Sequence, residues 1–497
     1  MNAWLSDDAF VTLRTVDNFV HGFGLRWNVG ERVQAYTHPL WLLLLSGPYA
    51  ISQEPYFTTL AVSLGVSTAA VLIVALGRGT GSAASVAAVF LFASSRAFID
   101  YSTSGLENPL THLSLALFLL AYWQGARDRQ ALYVSLLASA GMLCRLDVGL
   151  MVLPPLIYVI VKRRSARMVV RALAGLTPLV AWEVFSLVYY GFPFPNTAYA
   201  KLGTGISAAA GIKQGSLYFA DSWHLDPLTL LIIGVGLAVP RRDQQQSDWP
   251  IRAGVVLYLG YVLWIGGDFM SGRFLTAPFI VAVMRLVRWL DLRPTAVPAG
   301  VALAAVTLAA LSPCPPFLGD HNYRWGEPPN TASHPSGIND EHRFYWQSTG
   351  LFSPDRDRAE PQWANQGRMR QQSGQTTSRR GNVGMYGYYA GPRVHIVDAY
   401  ALCDPLLARL PPVPRWRIGH YQRLLPLGYA ETIRVGRNVI QDPGVRKYYE
   451  HLSRVVREPL WSARRWRDIL FMNLGRYDSL LDTYRRNLAS GVHVGDP

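Results

Sequence analysis

Between residues 57 and 312 the chain repeats one pattern, an apolar run followed by a short polar connection. The runs fall at about 57–77, 82–98, 110–124, 131–143, 148–161, 172–190, 228–239, 251–267, 274–290 and 295–312. A helix crossing a bilayer upright needs about 20 apolar residues, and several of these runs are shorter, so their polar-looking ends must contribute to any span. Composition agrees with a membrane chain that is not wholly embedded. Of the 497 residues, 50% are hydrophobic and 16% are charged, against about a quarter charged in ordinary soluble domains. A helical membrane part joined to a water-exposed part fits both values.

Charge placement orients the runs. The net charge of +14 suggests nucleic-acid binding at first sight. Much of the Lys and Arg, however, sits in short loops between apolar runs, where it sets topology. The connections near 78–81, 125–130, 162–171, 240–252 and 285–293 hold fourteen Lys/Arg, and the alternate set near 96–109, 144–147, 191–227 and 268–273 holds five. The positive-inside rule makes the first set cytoplasmic and the second external. The dozen apolar residues within 37–51 would invert every later loop if they crossed, so they read as a helix on the outer membrane face. Residues 1–56 then form a first external loop, led by Asp7-Asp8 and closed by His38-Pro39. Only MNAWLS precedes the acids, so we expect a spanning helix upstream of Met1.

From about residue 313 the character changes. A Pro/Gly/Asn-rich stretch leads into a region with no spanning run, and ten spans from an external start place 313–497 outside as a soluble domain. Within it, the glycine-rich 381–391 followed by RVHIVDAYALCDPLL (393–407) reads as a strand pair, a turn and a short helix. Residues 444–489 have helical spacing with an Arg-rich face. The cysteines Cys144, Cys314 and Cys403 lack metal-ligand spacing. An external location permits a Cys314–Cys403 disulfide.

The ionisable residues carry two readings each. Asp7 and Asp8 serve either as base and partner or as the N-cap and first turn of a helix, where acids are favoured. On their own the two readings are even, and two acids in a segment resembling a membrane-surface helix tilt towards function. Glu107 in STSGLENP and Arg145/Asp147 in CRLDVG lie at outer helix ends, where ionisable groups are paired or functional. For Arg145 with Asp147 a mutual salt bridge is the better reading. Lys201 in FPNTAYAK and Asp268/Arg273 in GGDFMSGR sit among small flexible residues and suit a phosphate; lipid head-group contact explains each singly as well. The loop GNVGMYGYYAG lacks a nucleotide-binding spacing. Its tyrosines Tyr386, Tyr388 and Tyr389 fit core packing better than sugar stacking.

Taken together, DDAFVTLRTVDNFVHGFGLRWNVGERVQAYTH, YSTSGLEN, CRLDVGL, YYGFPFPNTAYAK, GGDFMSGR, GINDEHRFY and VGMYGYYAGPRVHIVDAYALCDPLLA…RIGH resemble successive motifs of the terminal arabinofuranosyltransferases of the mycobacterial cell wall (the AftB type). The likeness runs from Asp7 to about His420. More distantly, the acid pair and later HPL resemble lipid A aminoarabinose transferases and protein mannosyltransferases. The resemblance implies a polytopic α-helical GT-C membrane fold over 1–312, with an α/β extracytoplasmic domain over 313–497. It implies an inverting transferase of the inner (cytoplasmic) membrane that moves a pentofuranose, D-arabinofuranose, from a polyprenyl-phosphate donor to an external cell-envelope glycan. Asp7 or Asp8 would be the base. Arg14, Arg145, Lys201 and Arg273 would hold the donor phosphate, and Glu31, His38, Glu107, Asn196 and Asp268 would contact substrate. The partners implied are the lipid donor, the glycan acceptor and the bilayer, with no nucleic acid. Two acids beside a phosphate could hold Mg²⁺, but basic residues would neutralise the leaving group, so no metal or other cofactor is expected. The rival readings are a GT-C transferase of another sugar onto lipid A or protein, and a transporter or flippase. A transporter should show inverted repeats and mid-helix charges, whereas here the charges gather at helix ends.

Overall fold

The computed structural model describes residues 2–77, 81–124, 129–163, 165–240, 247–317, 336–353, 362–414, 416–492 and 495–496. All ten apolar runs are helical. The chain begins with α1 (Asp7–Val20) and α2 (Pro39–Ser52). The ten runs supply α3 (Pro55–Ala75), α4 (Ser82–Ser94), α6 (Asn108–Trp123), α7 (Gln130–Cys144), α8 (Gly149–Arg163), α9 (Ala166–Tyr189), α12 (Pro227–Ala238), α13 (Trp249–Trp264), α14 (Thr276–Leu290) and α15 (Ala296–Leu311). Three shorter or more polar helices lie among them, α5 (Arg96–Tyr101), α10 (Asn196–Lys201) and α11 (Ala208–Leu225). Helix starts are set by local chemistry. Glu54 caps α3 by accepting from the Tyr56 and Phe57 amides at 2.8 and 2.6 Å, with Pro55 in the first helical position. Asp226 caps α12 in the same way, ahead of Pro227. In both, the side chain satisfies amides that the helix cannot.

Among the described residues, α3 and α9 are by length and composition the helices able to cross a bilayer alone, and α2, α4, α7, α12 and α15 are shorter apolar helices. The apolar helices share one large core in which α14 is buried on nearly every side. Small residues allow close approach between them. A Cβ on Gly175 of α9 would lie 2.0 Å from Ser135 Oγ of α7, the packing device of membrane helix pairs.

The later chain is less β-rich than its sequence suggests. It contains α16 (Glu341–Thr349), α17 (Gln362–Gln372), α18 (Gly384–Ala390), α19 (Tyr429–Val435), α20 (Pro443–Arg457), α21 (Ala463–Asn473) and α22 (Asp482–Ala489). The strands among the described residues form two small ladders. In one, β1 (Thr377–Arg380) pairs in parallel with β2 (His395–Asp398); in the other, β3 (Leu425–Pro426) pairs antiparallel with β4 (Gly495–Asp496). The glycine-rich stretch, read as part of a strand pair, is instead the helix α18. The strand after it ends at Asp398, because that carboxylate folds back to accept from the Tyr400 and Cys403 amides at 2.8 and 2.9 Å, an Asx turn that diverts the chain from the ladder. Residues 313–497 also share their cores with earlier chain. Val33, Phe192 and Ala200 pack with Leu406, Tyr449 and Leu452, and Trp4, Phe10 and Trp41 pack with Tyr345 and Met385. The Cys314–Cys403 pairing is not formed. Both are buried free thiols, as is Cys144, with Cys403 among Val11, Trp27 and Tyr386 and Cys314 beside Arg96.

Candidate active site

The site begins at the start of α1. Ser6 Oγ accepts from the Ala9 amide at 3.3 Å, and the Ser6 N–H donates to the Ser104 carbonyl at 3.0 Å. These bonds fix the helix start against the loop that carries Glu107. Asp7 and Asp8 fill the first turn, where the helix dipole favours acids. Consecutive residues on a helix point about 100° apart, and the two acids accordingly meet different surroundings.

Asp7 is 7% exposed and accepts from the amides of Gly384 and Met385 at 3.0 and 2.7 Å. It serves as a clamp on the start of α18. Glycine is required at 384, since a Cβ there would lie 1.8 Å from the Asp7 carbonyl oxygen. Burial pushes the Asp7 carboxyl up to about 7, against the two amide bonds and with the neighbouring Asp8 adding to the rise. Asp8 is half-buried and makes no hydrogen bond among the described residues. Burial raises its carboxyl above the usual range. Arg273 and Lys201 oppose the rise, and Asp268 and Glu107 add to it.

Behind Asp8 lies a paired network centred on Glu107, which is 1% exposed. Its carboxylate receives Arg273 Nη2 at 3.0 and 3.2 Å, His38 Nδ1 at 3.2 Å and Arg145 Nη1 at 3.4 Å. Arg273 also approaches Asp268 at 3.5 Å. Arg145 is held by Asp147 at 2.5 Å and lies over the Phe274 ring. His38 Nε2 meets Thr12 Oγ1 at 2.7 Å, which carries the network back to α1. The loop bearing Asp268 turns through Gly267 at φ 73°, where any side chain would strike Tyr218. Lys201 ends α10 as an exposed cation facing Asp8. The structure therefore brings together Asp8, Lys201, Arg273, Arg145, Glu107, His38 and Asp268 from six separate stretches of chain.

Three residues expected here lie elsewhere. Arg14 is buried, and its guanidinium donates to the carbonyls of Trp27, Gly387 and Val394 and to Asn28 while lying over the Trp27 ring. Four of its five N–H groups are thereby used inside the fold, so it is a buried strut between α1 and α18. Glu31 accepts from Asn28 and Arg457 at 3.4 and 3.3 Å and joins the loop after α1 to α20. Asn196 donates to the carbonyls of Ala401, Leu402 and Asp404 and accepts from Arg409. It fastens α10 to the later chain.

Sequence reasoning singled out no residue of α16, yet the structure brings Glu341 within electrostatic reach of Asp8. Glu341 is 7% exposed. Burial holds its carboxyl well above the usual range, and the charges adding to the rise are Asp8, Asp268 and Asp7. The signal was present in GINDEHRFY. Asp340 caps α16 by accepting from the Arg343 amide at 3.0 Å, which puts Glu341 in the first turn. Arg417 and His420 of the RIGH stretch close the same side, with Arg417 donating to the Gly337 carbonyl at 2.9 Å. Among the described residues, Asp100, Asp340 and His342 have the spacing of metal ligands. Arg96 already bridges the two carboxylates at 3.2 and 2.5 Å and supplies the positive charge there.

No family model and no solved structure matches the chain. Two curated proteins do. One is a terminal β-(1→2)-arabinofuranosyltransferase of Mycobacterium tuberculosis, 28% identical over 85% of this chain and 81% of that protein. The other bears the same name in Corynebacterium glutamicum, 27% identical over 56% of this chain and 47% of that protein. Over most of its length the chain thus resembles the terminal arabinofuranosyltransferases that its motifs suggest, and the likeness makes it an enzyme of the glycosyltransferase class.

Proposed function

We propose that this protein is a multi-pass inner-membrane transferase that moves an arabinofuranosyl group from a polyprenyl-phosphate donor to an external cell-envelope glycan, with inversion at the anomeric carbon. The observation that carries the reading is the division of labour in the acid pair. Asp7 is consumed by two backbone amides, and Asp8 is left free opposite Arg273 and Lys201. In the step proposed, Asp8 takes the proton of an acceptor hydroxyl as its oxygen attacks the anomeric carbon. The bond from that carbon to the phosphate oxygen breaks, and the lipid phosphate leaves with both bonding electrons. Arg273 and Lys201, backed by Arg145, neutralise it through charge-assisted hydrogen bonds. Glu107, His38 and Asp268 hold those guanidiniums in place. The raised carboxyl of Asp8 suits a base, since a carboxylate of higher pKa accepts a proton more readily.

An in vitro transfer assay with a polyprenyl-phosphate arabinofuranose donor tests this. Asp8→Asn should cut the rate by about a hundredfold to ten-thousandfold, the usual contribution of a general base. Full activity in that variant overturns the base assignment. Because the leaving phosphate meets Arg and Lys, a chelator such as EDTA should leave the wild-type rate unchanged, and loss of activity that Mg²⁺ restores would put a metal in the site.

A further inference from the structure

The Glu341 carboxyl is a second acid of the site that the proposed step does not use. Its position is built by contacts at both ends of α16. At the N-terminal end, the Asn339 amide donates to the Phe269 carbonyl at 2.7 Å and the Asn339 carbonyl accepts from Ser271 at 3.0 Å, which bonds this end to the loop of Asp268 and Arg273. At the C-terminal end, Thr349 Oγ1 donates to the Leu5 carbonyl at 2.8 Å and accepts from the Leu5 amide at 3.2 Å, two residues before Asp7. The helix therefore straddles the site, and Glu341 in its first turn is 93% buried yet makes no hydrogen bond among the described residues. A buried carboxyl without a partner is costly, and it is retained most often where a ligand completes it.

We propose that Glu341 binds a hydroxyl of the acceptor sugar beside Asp8, resting on the transferase reading above. A protonated carboxyl both donates and accepts, which matches a sugar hydroxyl. Burial and the neighbouring Asp8 keep Glu341 in that form above the usual carboxylate range. The acceptor is favoured over the donor because the strongest charge effects on Glu341 come from Asp8, Arg417, Asp268 and Asp7. Three of these four are carboxylates and one is the Arg417 guanidinium, a balance that disfavours a phosphate and tolerates a neutral diol.

The test measures initial rates with a synthetic arabinofuranosyl oligosaccharide as acceptor, together with binding of that oligosaccharide without donor, followed by tryptophan fluorescence. Glu341→Ala should raise the acceptor KM and Kd about tenfold, as losing one well-made hydrogen bond does, with donor KM unchanged. Glu341→Gln keeps a donor and an acceptor in the same place and does not ionise. It should hold wild-type acceptor affinity, and hold it at alkaline pH where the wild type weakens. Unchanged acceptor affinity in Glu341→Ala overturns the proposal, as does a Gln variant as weak as the Ala variant. Wild-type protein that binds the oligosaccharide but transfers nothing would sink the transferase reading while leaving the Glu341 assignment to be decided by the binding arm.

Discussion

Two groups of buried charge adjoin one another in this protein and are built in opposite ways. Around Glu107, Arg145, Arg273 and His38 converge on one carboxylate, and Asp147 and Asp268 take up the remaining guanidinium charge. Around Asp8 and Glu341, two carboxyls lie in a low-dielectric setting with no hydrogen bond among the described residues. Burial penalises an ion unless a partner repays the loss of water. The first group satisfies that condition and makes a rigid frame. The second leaves it to be met by something else, and carboxyls perturbed in this way are concentrated where chemistry is done.

The contrast breaks most visibly at Glu107. Glu107→Ala leaves two buried guanidiniums without their shared partner, and it should cost about 3–5 kcal/mol of stability. Unfolding in detergent, followed by circular dichroism, measures it. A loss below about 1 kcal/mol, the range of exposed pairs, would mean that the network is solvated and is no frame. Next comes Gly384→Ala, which should cost about 1–3 kcal/mol, the usual range for overpacking, because the new methyl must push α18 off Asp7. Wild-type stability in this variant would show that α18 has room to move and that the Asp7 clamp is slack.

The smallest effect sharpens the difference between the adjacent acids. Asp7→Asn retains one acceptor oxygen and should cost about 1 kcal/mol at acid pH, an ordinary hydrogen-bond loss. The carboxyl stands at about 7 in the fold against an ordinary 3.8, so the folded state favours its protonated form. That contribution is fully present below about pH 4 and is lost as pH rises through about 7. The melting temperature of wild type should therefore fall relative to Asp7→Asn across that window. A gap that stays constant with pH would show that Asp7 is ionised throughout and that its two amide bonds outweigh its burial.

The helices were legible because apolar runs leave a chain few alternatives, and each of the ten runs became one. The acid pair, the arginines and the motif segments were legible as chemistry-bearing. Which of them come together in space was legible only in part. Arg14 looks as basic in sequence as Arg273, yet the carbonyls that use its donors belong to residues 27, 387 and 394. Asp7 and Asp8 are adjacent and identical in type. What separates them is an amide pair 377 and 378 residues away from Asp7. Glu341 escaped notice because it stands in an acid-rich turn after a long Pro/Gly/Asn segment, and only the strapping of α16 across the site brings it near Asp8.

The sequence by itself determined the helical train and the polar stretches between the helices, since these follow from hydropathy and chain connectivity. Apart from the local Arg145–Asp147 pair, readable from the sequence, tertiary structure decided which charges are paired and which are left waiting. The other pairings around Glu107 join segments from 38 to 166 residues apart, and the cost of an unpaired charge is set by how completely those segments exclude water.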